Sequence, residues 1–344
     1  MNASLPLGKL PPELLARLLT QAPIQDPRVL YGPGIGRDCA VIALDDDPHS
    51  RVLVLKSDPI TFATAEIGWY AVQVNANDIA TTGANPRWML ATLLLPEKST
   101  TPQLVESIFN QLTQAAAGLG IALVGGHTEI TYGLDRPILV GTLIGEVERD
   151  RLVIPGGARP GDRLLLTKGV PIEATALLAK EFPHRLQAAL SSAEIEQARN
   201  FLYHPGISVV RDARIAARAG RVTAMHDPTE GGLASALWEL AEASGVQITI
   251  DPAAVPVPPL AARVCEAFGL NPLAAIASGA LLLAVAPSDA AAICSALAAE
   301  GIPCAAIGHC SAGSPFTVRL PDGTQLLRPP RDEITRVFEQ QDAS

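Results

Sequence analysis

The sequence predicts a two-domain α/β protein. Three observations carry this reading. The chain has 344 residues, enough for two domains with a core each. Short apolar runs of strand length alternate with longer helical patterns in both halves. Between the halves stands a dense run of chain breakers, Ile154-Pro155-Gly156-Gly157-Ala158-Arg159-Pro160-Gly161-Asp162. Domains are therefore expected over residues 1–155 and 156–344. Hydrophobic residues make up 48% of the chain but aromatic ones only 4%. The core should thus consist of small and aliphatic side chains, as in helices packed on sheets.

The elements follow in order. A helix is expected over residues 11–21, where Leu14, Leu15, Leu18 and Leu19 form a stripe. The glycine-rich stretch Gly32-Pro33-Gly34-Ile35-Gly36-Arg37-Asp38 runs into an apolar segment at 39–44. A strand at 51–56 ends at Ser57-Asp58-Pro59, because Asp-Pro favours a turn. A long helical pattern covers 65–82 and stops at Gly83. Strands at 88–95, 121–124 and 137–147 enclose a helix at 101–119, and Gly125-Gly126-His127-Thr128-Glu129 reads as a loop after the second of them. In the other half, strands at 163–167, 222–225, 246–250 and 280–286 alternate with helices across 172–220, 233–243 and 289–300. A small β segment closes the chain.

Composition excludes several functions. An acidic excess, 35 Asp and Glu over 26 Lys and Arg, repels nucleic-acid backbones, and no basic cluster offsets it. Acidity does not exclude nucleotides, since carboxylates hold phosphates through bridging metal ions. Five cysteines without a CxxC spacing indicate neither a disulfide framework nor a zinc site. No apolar stretch is long enough for a bilayer and no signal peptide is evident, so a cytoplasmic protein without membrane contact is expected.

Candidate site residues are mostly acidic. Asp78 falls in line with Ile67, Ala71 and Val74 at helical spacing, and a carboxylate on a core-facing stripe needs a partner or a metal. Asn75 and Asn77 add polar groups beside it. Asp227 stands between a strand end and Gly231-Gly232, where open α/β sheets place ligands. Asp38 follows the glycine-rich stretch, which precedes a β segment and so is no dinucleotide or P-loop fingerprint. Asp58 stands at a strand end after Lys56. His127 is a candidate general base, and Thr128 and Glu129 are candidate polar contacts. Carboxylates converging from such distant positions hold Mg2+ ions that neutralise a triphosphate.

In this order, Gly34-Ile35-Gly36-Arg37-Asp38, Ser57-Asp58, Asn75-Ala76-Asn77-Asp78-Ile79-Ala80, Gly83-Ala84-Asn85-Pro86, Gly125-Gly126-His127-Thr128-Glu129 and Asp227-Pro228-Thr229-Glu230-Gly231-Gly232 resemble the aminoimidazole ribonucleotide synthetase (PurM-like) superfamily. The similarity is greatest to its hydrogenase maturation (HypE) branch. The resemblance implies a PurM-like α/β (α+β) fold whose N-terminal domain pairs into a homodimer around a β-barrel. It implies ATP and Mg2+ as cofactors, with Asp38, Asp58, Asp78 and Asp227 as metal or phosphate residues and Asp78, Asp227 and His127 as catalytic. Gly34 and Gly36 would form a flap, and Lys56, Asn77, Thr128 and Glu129 would contact the nucleotide.

Departures are also present. The last cysteine is Cys310, whereas the HypE branch carries its reactive cysteine at the C-terminus. His127 stands where an acidic residue is common, and Glu230 where a basic one is. Three readings follow: an ATP-dependent enzyme acting on a small carbonyl-bearing or phosphorylated metabolite, a small-molecule kinase resembling thiamine-monophosphate kinase, or a nucleotide-binding partner protein without catalysis.

Overall fold

The computed structural model describes residues 5, 10–21, 23–34, 37–61 and 65–342. The first half runs α1 (Pro12–Leu19), β1 (Val29–Tyr31), β2 (Ala40–Ala43), β3 (Arg51–Ile60), α2 (Ile67–Thr81), β4 (Asn85–Pro96), α3 (Pro102–Leu119), β5 (Ala122–Thr131) and β6 (Ile138–Glu148). Its six strands form one sheet in the order β1-β2-β3-β6-β4-β5. The second half runs β7 (Arg163–Thr167), α4 (Ile172–Glu181), α5 (Pro183–Leu186), α6 (Ser192–Arg199), α7 (Val210–Ala219), β8 (Val222–His226), α8 (Gly232–Ser244), β9 (Gln247–Ile250), α9 (Pro259–Phe268), β10 (Leu282–Val285), α10 (Ala290–Ala299), β11 (Cys304–Ser311), β12 (Thr317–Arg319) and α11 (Thr335–Asp342). Its sheet has the order β12-β9-β11-β7-β10-β8.

Both sheets are mostly antiparallel, with parallel pairing only at β4–β5 and β9–β12 among the described residues. The fold is thus mixed α and β rather than doubly wound. Helical crossovers permit parallel neighbours but do not compel them, because β6 inserts between β3 and β4. Asp227 does follow the carboxyl end of β8, ahead of α8, although β8 is an edge strand antiparallel to β10 rather than part of a parallel sheet. No described helix is long and apolar enough to cross a membrane.

Two sequence boundaries shift, each for a local reason. β3 does not end before Asp58 but continues through Pro59 to Ile60, pairing Asp58 with Gly141 of β6. Beyond Leu55 its other side is no longer covered by β2, so the missing proline N–H costs no ladder bond. Likewise, the segment Gly125–Glu129 is no loop but the middle of β5, in register with Leu90–Leu94. Gly125 and Gly126 adopt φ of 157° and 147° at the register shift there. A Cβ on Gly126 would lie 1.9 Å from the Ala91 carbonyl oxygen. Gly126→Ala is therefore expected to destabilise the protein by about 2 kcal/mol or more, read as a lower urea midpoint at unchanged slope.

α2 is the axis of the molecule. Twelve of its fifteen residues are buried, so it has no single core-facing stripe of the kind the sequence reading gave Asp78. One side lies on the first sheet, where Gly141 and Gly145 make room for Asn75 and Ile79. A Cβ on Gly68 would meet the Ile108 carbonyl oxygen at 2.7 Å, which sets the close approach of α3. The remaining side faces the second half, and one apolar cluster runs through both.

Candidate functional site

Three of the four aspartates named from the sequence, Asp78, Asp58 and Asp38, gather around Lys56. From β3, the Lys56 Nζ lies 2.8 Å from Asp78 Oδ2 and 3.4 Å from Asp58 Oδ2. Lys56 and Asp58 alternate on the strand and so project to the same face of the sheet. Asp78 reaches them from the last turns of α2, with its backbone oxygen accepting from Cys39 Sγ at 3.3 Å. Asp227 enters from the other half, directly after β8, and is 4% exposed. Asp38 is exposed at the rim.

Electrostatics ties the four together. Burial pushes Asp78 up to about 7 against the pull of Lys56, and the charges of Asp38 and Asp58 raise it further. Burial likewise holds Asp227 well above the usual carboxylate range, with Asp78 and Asp38 adding to the effect. Burial opposes the Lys56 charge, yet Asp78, Asp58 and Asp38 together raise its pKa. Next to Asp227, the imidazole of His226 binds Glu239 at 2.7 Å. Burial disfavours its charged form, but Glu239 outweighs this and lifts it to about 9. The sequence reading missed His226, whose one signal was its place at the end of a strand before Asp227.

The site is thus short of positive charge: Asp78, Asp58 and Asp38 act on Lys56, Asp227 is repelled by Asp78 and Asp38, and His226 is engaged by Glu239. Among the described residues no three acidic, histidine or cysteine side chains form a ready-made metal cage. A nucleotide-bound Mg2+ would not require one, since it binds through one or two carboxylates, water and substrate phosphates rather than a full protein cage. Asp78 and Asp227 are the residues best placed to hold it, with Asp58 and Asp38 at the periphery.

Other candidates fall elsewhere. The Asn77 side chain is spent on the seam between the halves: its Nδ2 donates to the Ile207 carbonyl and its Oδ1 accepts from the Val209 amide, both at 2.8 Å. Each of its two polar atoms thus already has one backbone partner, which ties the side chain to the seam. His127 and Glu129 form a solvent-exposed pair, Nε2 to Oε2 3.2 Å, and Thr128 between them is exposed as well. They ride on β5, three strands from β3, or about 14 Å across the sheet. Within this chain they do not join the aspartates, because the two glycines continue the strand. Gly34 sits under Arg37, whose guanidinium covers the Tyr31 ring at 4.5 Å. Gly36 lies outside the described residues.

One pH effect follows from His226. Its folded pKa exceeds the ordinary 6.5, so the stabilisation from its charged pair is complete below pH 6.5 and lost as pH rises through about 9. After allowing for the partial exposure of Glu239, His226→Gln should flatten that decline by about 1–2 kcal/mol in urea titrations at pH 6 and 9.5.

Comparison with known proteins identifies the family. Residues 36–147 match the N-terminal domain model of AIR synthase related protein, and residues 159–321 match its C-terminal domain model. The chain belongs to the AIR synthase related family. Family members among its relatives include carbamoyl dehydratase HypE of Cupriavidus necator, 30% identical over 76% of this chain and 72% of that one. The HypE of Rhodobacter capsulatus is 31% identical over 76% and 75%. The selenide, water dikinase of Nitratidesulfovibrio vulgaris is 29% identical over 91% and 95%. Among solved structures, hydrogenase maturation protein HypE in complex with ATP superposes with a TM-score of 0.68 at 23% identity, covering 89% of this chain and 90% of that one. Thiamine monophosphate kinase from Aquifex aeolicus gives 0.68 at 21%, covering 92% and 97%. These two likenesses establish the shared PurM-like fold.

Proposed function

We propose that this protein is an ATP-dependent enzyme that binds Mg·ATP at Asp38, Asp58, Asp78 and Asp227. It would use the nucleotide to phosphorylate an oxygen of a small carbonyl-bearing or phosphorylated acceptor. The observation that carries the reading is the positive-charge deficit around Lys56, in a family whose relatives include a dehydratase and a dikinase. A divalent cation bound there would supply charge neutralisation of the phosphates during transfer. Lys56 would hold Asp78 and Asp58 in place and offer a point charge to a phosphate oxygen. His226, kept charged by Glu239, adds a second cation beside Asp227.

The active form in this reading is a homodimer joined through β5. That strand is an edge, exposed along nearly its whole length, and it carries Leu123, Val124 and Ile130 at 38–59% exposure. Trp88 and Leu90 on β4 extend the apolar surface. A long, exposed, apolar edge strand calls for a covering partner. His127 and Glu129, remote from the aspartates of their own chain, could meet a nucleotide only across such a subunit boundary.

Thermal-shift measurements with ATP, ADP, GTP and Mg2+ test the reading. ATP with Mg2+ should raise the melting temperature well above either component alone. An equal effect of ATP with and without Mg2+, or none, overturns it. ADP release with a phosphorylated acceptor as product marks a kinase, release of ADP and phosphate with a dehydrated acceptor marks a dehydratase, and tight binding without turnover marks a binding protein.

A further inference from the structure

All five cysteines are free thiols, and they divide into two groups. Cys39, Cys265 and Cys310 are buried, at 8%, 2% and 1% exposure. Cys294 and Cys304 are half-buried, and their sulfur atoms lie 3.0 Å apart. The two least buried thiols are thus the two that touch.

The fold fixes this meeting from both sides. Cys294 lies in the middle of α10, directly after Ile293, which is buried in the core together with Leu297. The helix ends at Ala299, and Gly301 turns the chain back with a φ of 74°. The Ile302 amide then donates to the Leu297 carbonyl at 2.9 Å, closing the turn onto the helix. Cys304 opens β11, where it pairs with Thr167 of β7. The carbonyl just before it, on Pro303, accepts from the Lys168 amide at 2.8 Å. Neither sulfur sits on a loose loop: a helix packed in the core carries one, and a paired strand carries the other. Both pack against the main apolar cluster.

We propose that Cys294 and Cys304 form a reversible thiol–disulfide exchange site whose reactant is a low-molecular-weight disulfide. A disulfide needs its sulfurs at about 2.03–2.05 Å, so closure asks for about 1 Å of approach. Burial pushes the Cys304 thiol up, with the Cys294 contact and the Asp212 charge adding to the effect, so Cys304 reacts second. The exchange has two steps. Cys294 loses its proton to solvent and its sulfur bonds to one sulfur of the small disulfide, whose S–S bond breaks to release a thiolate. Cys304 then loses its proton, bonds to Cys294 Sγ and displaces the second small thiolate. The two released thiolates take up two protons. Two protein thiols are thereby oxidised and one external disulfide is reduced to two thiols. Because the second thiol is already in place, its attack is intramolecular and the mixed disulfide does not persist. The product staples α10 to the start of β11. None of this rests on the ATP reading.

The test treats the folded full chain with oxidised glutathione, quenches with acid, traps the remaining thiols with N-ethylmaleimide in denaturant and reads the intact mass. Untreated wild type should carry five maleimides and treated wild type three, with no glutathione attached. Excess dithiothreitol should restore all five. Digestion after glutamate, which cuts at Glu300 between the two cysteines, should leave the flanking peptides joined. Cys304→Ser under the same treatment should keep one glutathione on Cys294. Five maleimides on treated wild type, or a glutathione retained there, overturns the proposal. So does an internal disulfide that persists in Cys304→Ser, or a Cys294 left unmodified in that variant. The wild-type count decides the matter if the variant does not fold.

Discussion

Asp78→Asn weakens Mg·ATP binding by about 100-fold or more, measured by calorimetry at fixed Mg2+, while the protein stays folded. The side chain is 7% exposed and lies 2.8 Å from Lys56, with Asp58 and Asp38 adding negative charge to the same site. Asparagine preserves the shape and retains an oxygen for Lys56 but removes the charge a divalent ion needs. Stability should not suffer at neutral pH. A carboxyl raised to about 7 binds its proton more tightly in the folded than in the unfolded chain, so its contribution to stability falls as pH rises from about 4 to 7. The neutral variant escapes that fall and should melt no lower than wild type at pH 8. Asp227→Asn, equally buried and repelled by Asp78, should behave alike. Affinity within twofold of wild type in both variants would remove the aspartate cluster from the nucleotide site.

The second large effect concerns assembly. Val124→Lys combined with Ile130→Lys places two charges on the exposed edge of β5, where wild-type side chains are 55% and 59% exposed. Charged residues on an edge strand block edge-to-edge pairing. Wild type should sediment as a dimer and the double variant as a folded monomer with unchanged helical content. If His127 and Glu129 serve the partner's nucleotide, Mg·ATP binding falls with the dimer. A wild-type monomer, or a variant that remains dimeric, rules out β5 as the interface.

Much of the fold was legible because the apolar patterns are strong. The strands at 51–56 and 163–167 and the helix at 101–119 stand close to their sequence-derived positions, α3 between the Thr101 cap and the left-handed Gly120. What misled was local chemistry overruled by pairing. Asp-Pro and Gly-Gly are turn signals in isolation, yet β6 carries β3 through Pro59, and β4 carries β5 through Gly126. Asp78 was singled out through a stripe that a helix buried on all sides does not possess, although the cost of burying a carboxylate still applied. Asn77 shared that helix, and nothing in its spacing showed that its amide would be hydrogen-bonded to the backbone at Ile207 and Val209.

The sequence by itself determined most of the element types and the acidic character of the residues proposed for the site. These follow from side-chain chemistry and short-range periodicity, which travel with the chain. Only the tertiary structure decided that Lys56 stands among the aspartates, that His127 lies about 14 Å away across the sheet, and that α2 forms the seam between the halves. Those outcomes depend on which strands become neighbours and how two halves meet, and pairing over such separations is settled by the whole core rather than by any one segment.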